Sequence, residues 1–197
     1  MFSKEISFLF KGTIIGIVGK NEISRKKLGK QPFYNLITVT FSIMNEFFFK
    51  AIREGNYNEV KAMLDKNAVL VNSKDSRGST PLILATYYDE TEIARLLLEK
   101  GAKIDAVDAS GNTALMGVCF KGFTDIAKLL IDKGAALNER NAMGATCLIY
   151  AAQFNRLEIA KLLIANGADK SIKDNRGNSA LDHAKTQGLS ALIDLFE

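Results

Sequence analysis

Apolar positions in this chain recur in short bursts at helical spacing, and the bursts themselves repeat. Ile93, Leu96 and Leu97 fall on one helix face, and Leu82 and Ala85 lie three apart on a shorter segment just before it. The same pattern returns every 33 residues: Leu82, Leu115, Leu148 and Leu181; Ile93, Ile126 and Ile159; Leu97, Leu130 and Leu163. Polar and glycine positions keep the same register. Asp75, Asp108, Asn141 and Asp174 form one column, Gly78, Gly111, Gly144 and Gly177 a second, and Thr80, Thr113, Thr146 and Ser179 a third; Gly101, Gly134 and Gly167 close each unit. Each column has a physical role. Asp75 and Gly78 suit the first and last places of a type I turn. Thr80 can cap a helix, with Pro81 at its first position. Asp89, Glu90 and Thr91 break that helix, a second follows, and Gly101 supplies the left-handed residue that ends it. Ala85, Val118, Ala151 and Ala184 keep the first helices thin enough to approach one another. One such unit cannot bury both helices' apolar faces, so the units must stack.

The strings GSTPLILATYYDETEIARLLLEKGAKID, GNTALMGVCFKGFTDIAKLLIDKGAALN and GATCLIYAAQFNRLEIAKLLIANGADKS resemble ankyrin repeats over roughly residues 45–197. The resemblance implies an all-α ankyrin-repeat solenoid of helix-turn-helix units joined by β-turn or hairpin loops. This chain departs from the family pattern at two columns. The histidine after T-P-L is replaced by Ile83, Met116, Ile149 and Asp182, so its hydrogen bonds along the turns must be made otherwise or lost. Proline is kept only at Pro81, with Ala114, Cys147 and Ala180 in its place elsewhere.

The expected organisation is an N-terminal cap at 44–74, full repeats at 75–107, 108–140 and 141–173, and a C-terminal cap at 174–197. In the first cap Val60, Met63 and Leu64 should face the stack, with Lys61, Asp65 and Lys66 toward water. Asp182, His183, Lys185 and Asp194 make the last unit more polar, as a terminal unit requires. His183 reads there as exposed polar surface.

Residues 1–43 do not fit the repeat. They form a basic, apolar leader for which three readings stand: a poorly ordered tract or non-native start, since Met44 would make a natural beginning; a β-rich extension from Tyr34 to Ile43; or a targeting segment. Lys11 splits the apolar run, leaving a stretch far short of the roughly 20 residues a spanning helix needs. Gly12, Gly16, Gly19 and Lys20 miss both phosphate-loop spacings.

Charge narrows the function. The net +4 lies in the leader, where residues 1–43 hold seven Lys or Arg against two Asp or Glu; residues 44–197 hold 19 against 20. That balance argues against a reader of phosphate backbones, so no nucleic-acid partner is expected. The single histidine and the two cysteines, Cys119 and Cys147, lack metal-ligand spacing. No serine-nucleophile motif is present. Neither catalytic residues, a metal nor a cofactor is expected, and the cysteines read as buried reduced thiols of a cytoplasmic protein.

By the same resemblance, partner contacts fall on the turn tips and the ends of the first helices. These positions hold Arg77, Met143 and Arg176 on the tips, and Tyr87, Tyr88, Phe120, Lys121, Gln153 and Phe154 on the helix ends. Aromatic residues, Met and Arg are the types enriched in protein interfaces. The expected function is a non-enzymatic scaffold, a monomer, that grips a protein partner in the groove; an exported or membrane-attached ankyrin protein is the alternative. Tyr88→Ala and Phe154→Ala are expected to spare thermal stability.

Overall fold

The computed structural model describes residues 31–197, with side chains from residue 40 onward. The chain divides into two compact units, Met1–Met44 and Asn45–Glu197. Residues 1–30, with the Gly12–Lys20 tract and both apolar runs of the leader, lie outside the described residues. The first described element is the helix α1, Gln31–Arg53. The tract Tyr34–Ile43 is therefore helical and is not a β-rich extension. After Pro32 in the first turn, no glycine or proline interrupts the chain before Gly55. Its β-branched and aromatic residues prefer strands only weakly, and context overrides that preference.

From Asn45 the chain builds helix pairs. After α1 come α2 (Tyr57–Lys66) and a short 3-10 helix, Ala68–Asn72. Three pairs then follow: α3 (Pro81–Tyr87) with α4 (Thr91–Glu99), α5 (Ala114–Lys121) with α6 (Thr124–Asp132), and α7 (Cys147–Gln153) with α8 (Leu157–Ala165). The last pair is α9 (Ala180–Thr186) with α10 (Ser190–Phe196). There is no strand among the described residues.

Local chemistry sets these boundaries. Thr80, Thr113 and Thr146 each accept a hydrogen bond from the backbone N–H three residues on, at 3.2–3.3 Å, and so start α3, α5 and α7. The first helix of each unit ends at a left-handed residue: Gly55, Asp89, Gly122, Asn155 or Gly188. Only there does the backbone turn back sharply enough for Glu90 N–H to reach Ala85 O and Arg156 N–H to reach Ala151 O. Gly122 has a further constraint, because a Cβ would sit 2.8 Å from the Arg156 side chain. That guanidinium donates across the repeat boundary to Phe120 O at 3.1 Å.

The stack is sealed along two seams. Ala85, Val118, Ala151 and Ala184 are fully buried where successive first helices meet, as are Leu97, Leu130 and Leu163 among the second helices. At the amino end Phe48, Phe49, Ile52, Val60 and Leu64 are buried, with Met63 half-buried and Lys61, Asp65 and Lys66 exposed. At the carboxyl end Leu192 and Phe196 close the core. A side-chain ladder also links the units. Asn72, Asp105 and Asn138 each accept the N–H of the residue 31 positions on, at 2.9 Å.

The last unit replaces a simple cap by a reciprocal one. Ser179 Oγ accepts from Asp182 N–H, while Asp182 Oδ2 accepts from Ser179 N–H at 2.8 Å and from its hydroxyl at 2.7 Å. The Ser179 N–H and hydroxyl hold the Asp182 carboxyl below the ordinary carboxylate range. A depressed carboxyl contributes stability that is present above its unfolded value, about 3.9, and is lost as pH falls through the folded one. Asp182→Asn should therefore flatten the acid limb of the stability profile below about pH 4. Thermal melts between about pH 3 and 7 check this, and an unchanged limb would contradict it.

Candidate functional site

Four turn tips and four first helices of the array line one face. Each tip is built alike. Asp75 Oδ1 accepts from Arg77 N–H and Ser79 N–H at 2.9 Å, and Gly78 N–H closes the turn onto Asp75 O at 3.0 Å. Asp108, Asn141 and Asp174 hold their tips the same way. The tips are then tied to one another. Ala142 N–H donates to Ser110 O and Asn175 N–H to Met143 O, both at 3.0 Å. Lys74 Nζ reaches Val107 O, and Arg140 Nη2 reaches Lys173 O. These bonds link the turns without the family's histidine, whose place is taken by buried Ile83, Met116 and Ile149.

Two side chains on the first helices reach back to the turns, and the sequence reading missed both. Tyr150 on α7 accepts from Asn141 Nδ2 at 3.0 Å and donates to Asn112 Oδ1 at 3.2 Å. Burial pushes its phenol up, against the opposing Asn141 bond. One repeat later, His183 occupies the same register. Its side chain is 18% exposed, with Nε2 2.8 Å from Asp174 Oδ2. His183 is thus a brace between α9 and the last turn and not exposed surface. Burial works to raise the Asp174 carboxyl, but the Asn178 and Arg176 N–H groups and His183 hold it below the ordinary range.

The nine residues singled out from the sequence are all at least partly exposed. Tyr87, Tyr88, Phe120 and Phe154 are 37–46% exposed and Met143 is 62% exposed. Arg77 and Arg176 are exposed, and Lys121 and Gln153 half-buried. The helix-end residues are arranged on a diagonal. In the last three units the second of the two helix-end positions leans back over the first position of the preceding unit. Lys121 Nζ lies 4.8 Å from the centre of the Tyr87 ring. Phe154 meets Phe120 edge to face at 4.5 Å, and Gln187 donates to Gln153 O. Tyr87 also meets Tyr88 edge-on at 5.6 Å, and Phe154 stacks on Tyr150 at 6.1 Å. The rings are therefore held in place by one another, each with an edge left in water.

That geometry separates the two alanine variants. Tyr88 has one ring neighbour, so Tyr88→Ala should cost less than about 1 kcal/mol. Phe154 has two, so Phe154→Ala should cost about 1–2 kcal/mol. Urea titration of both variants checks the order, and equal costs would contradict the diagonal packing.

Among the described residues, no cluster of three or more His, Cys, Asp or Glu could hold a metal ion. No described helix is long and apolar enough to cross a membrane. Cys119 and Cys147 are both buried and unpaired, and burial pushes the Cys119 thiol up.

Turn, helix, break and helix, stacked with one face of tips and rings, define a helical repeat protein. A family model described as ankyrin repeats (3 copies) matches residues 38–108 and 105–174, and the chain belongs to the ankyrin repeat family. It is also similar to the DNA-binding protein RFXANK of Homo sapiens, at 47% identity over 49 residues. That match covers 25% of this chain and 19% of the human protein, so the chain spans about a fifth of the relative's length.

Proposed function

We propose that this chain is a non-enzymatic scaffold that holds a protein partner against the concave face formed by its turn tips and first helices. The ankyrin repeat family is a protein-interaction module. The observation that carries the face assignment is the ring ladder: four aromatic side chains, prearranged by their neighbours, each leave roughly two-fifths of their surface in water. Prearranged rings lose little conformational freedom on binding, and bulky aromatics are the usual energetic centres of interfaces.

The human relative is named as a DNA-binding protein. For this chain a protein partner is the better reading, because the array carries 19 basic against 20 acidic residues over 44–197. The unpaired buried thiols suit a reducing compartment, and we place the protein in the cytoplasm as a monomer.

A photo-crosslinking amino acid tests the face. Placed at Tyr88 or Phe120, it should capture the native partner. Placed at Lys128, on the exposed side of α6, it should not. Capture from Lys128 alone would move the interface to the second helices.

A further inference from the structure

We propose that the partner segment this face holds is acidic: a peptide stretch in which aspartate or glutamate side chains flank bulky apolar ones. The inference rests on the groove reading above and adds the chemistry of the occupant.

The turn carboxylates of this face are engaged within the chain, and cations stand beside them. Asp75 and Asp174 are turned into their turns, with side chains 7% and 8% exposed. Each gives an oxygen to two backbone N–H groups, and Asp108 does the same. Asp182 is held by Ser179. Arg77, Lys121 and Arg176 stand beside them, and none of the three has a side-chain hydrogen bond or ion pair among the described residues. The Lys121 ammonium has only ring faces for company, Tyr87 at 4.8 Å and Phe123 at 5.6 Å.

Elsewhere on the array some cations are paired within the chain, while others, such as Lys128 and Lys133, are exposed and unpaired among the described residues as well. Lys100 pairs with Asp65, Arg95 with Glu92 and Lys161 with Glu158. The turn tips and Lys121 thus present positive charge beside turn carboxylates that are engaged within the chain, and Asp89, next to Tyr88, is an exposed acid at the helix ends. A carboxylate set down near Lys121 gains a charge-assisted bond. The exposed edges of Tyr88 and Phe120 and the Met143 side chain then take its apolar neighbours. Charge of this kind steers the choice of partner and speeds encounter more than it adds raw affinity.

The test is a selection on the full chain with random linear peptides displayed on phage, the recovered peptides being synthesised and titrated by fluorescence anisotropy. The expected peptides carry net negative charge beside Leu, Phe or Trp. Their Kd should rise about tenfold between about 50 and 300 mM NaCl. A triple variant, Arg77→Ala with Lys121→Ala and Arg176→Ala, should lose about tenfold in affinity at low salt. Its melting temperature should stay close to that of the parent, since Arg77 and Arg176 make no side-chain bond among the described residues and Lys121 meets only the Tyr87 and Phe123 rings.

Neutral or basic peptides that are nevertheless lost on Tyr88→Ala with Met143→Ala would overturn the acidic class and leave the groove reading standing. Peptides indifferent to that double variant would overturn the groove reading itself. Failure to enrich any peptide overturns the inference. So does tighter binding of a random single-stranded oligonucleotide than of the acidic peptides.

Discussion

Leu130→Ala is expected to lower the unfolding free energy by about 2–5 kcal/mol. Leu130 lies on α6, in the middle of the three full repeats, and is fully buried. Its counterparts Leu97 and Leu163, one repeat away on either side, are equally buried. In a globule, a truncated core residue can be compensated by collapse of loosely held neighbours. Here α6 is flanked on both sides by helices whose spacing is fixed by the repeat, so a void in the seam has little room to close. Both interfaces of the unit also weaken together, and in a stacked array the interfaces carry much of the stability. Leu98→Ala is the control: Leu98 neighbours the same seam in sequence but is only half-buried, and its loss should cost about 1 kcal/mol or less. Urea unfolding with linear extrapolation measures both. A fall in the slope for Leu130→Ala would indicate that the array had split into independently melting parts. A cost under about 1 kcal/mol at Leu130 would mean that the helix register is wrong.

The architecture was legible because the features that specify it recur. One Asp-x-x-Gly turn is weak evidence, but three of them and an Asn-x-x-Gly turn in a single register, with matching caps and apolar columns, leave little else to build. What recurs in role without recurring in identity was harder to read. The left-handed position that ends each first helix is filled by Gly55, Asp89, Gly122, Asn155 and Gly188, a column visible only once the backbone is known. The ladder of Asn72, Asp105 and Asn138 was hidden for the same reason, since these residues look like loop polarity until their partners 31 residues on are seen. The exposure of Tyr87 and Tyr88 followed from their register relative to Leu82 and Ala85. Their diagonal neighbours did not, because the distance from Lys121 to Tyr87 depends on the rise between repeats and not on spacing in sequence. His183 was misjudged because a polar residue on a terminal helix is usually solvated. The structure turns it onto Asp174, the register Tyr150 uses one repeat earlier.

That register leads to the second large effect, at Asn141, where the turn column departs from aspartate. Asn141→Ala is expected to cost about 2–4 kcal/mol, more than the same change at any exposed turn residue. Asn141 is 7% exposed, and its side chain makes four hydrogen bonds. Oδ1 accepts from Met143 N–H at 2.9 Å and Ala145 N–H at 3.0 Å, holding the tip. Nδ2 donates to Asn112 Oδ1 at 2.8 Å, in the preceding repeat, and to the Tyr150 hydroxyl at 3.0 Å. Truncation leaves buried Ala145 without its partner and strands the Tyr150 hydroxyl with one bond. Unmade bonds of this kind cost more than made ones contribute. Asn141→Asp distinguishes the two halves of the role. A carboxylate restores both backbone acceptances, as at Asp108 and Asp174, and can accept from Tyr150, but it cannot donate to Asn112. It should therefore recover about half of the loss at neutral pH. Tyr150→Phe, combined with Asn141→Ala in a double-mutant cycle, should show a coupling of about 0.5–1.5 kcal/mol. Additive costs would mean that the tip and the helix are held separately, and that Tyr150 is positioned by its stacking on Phe154 alone.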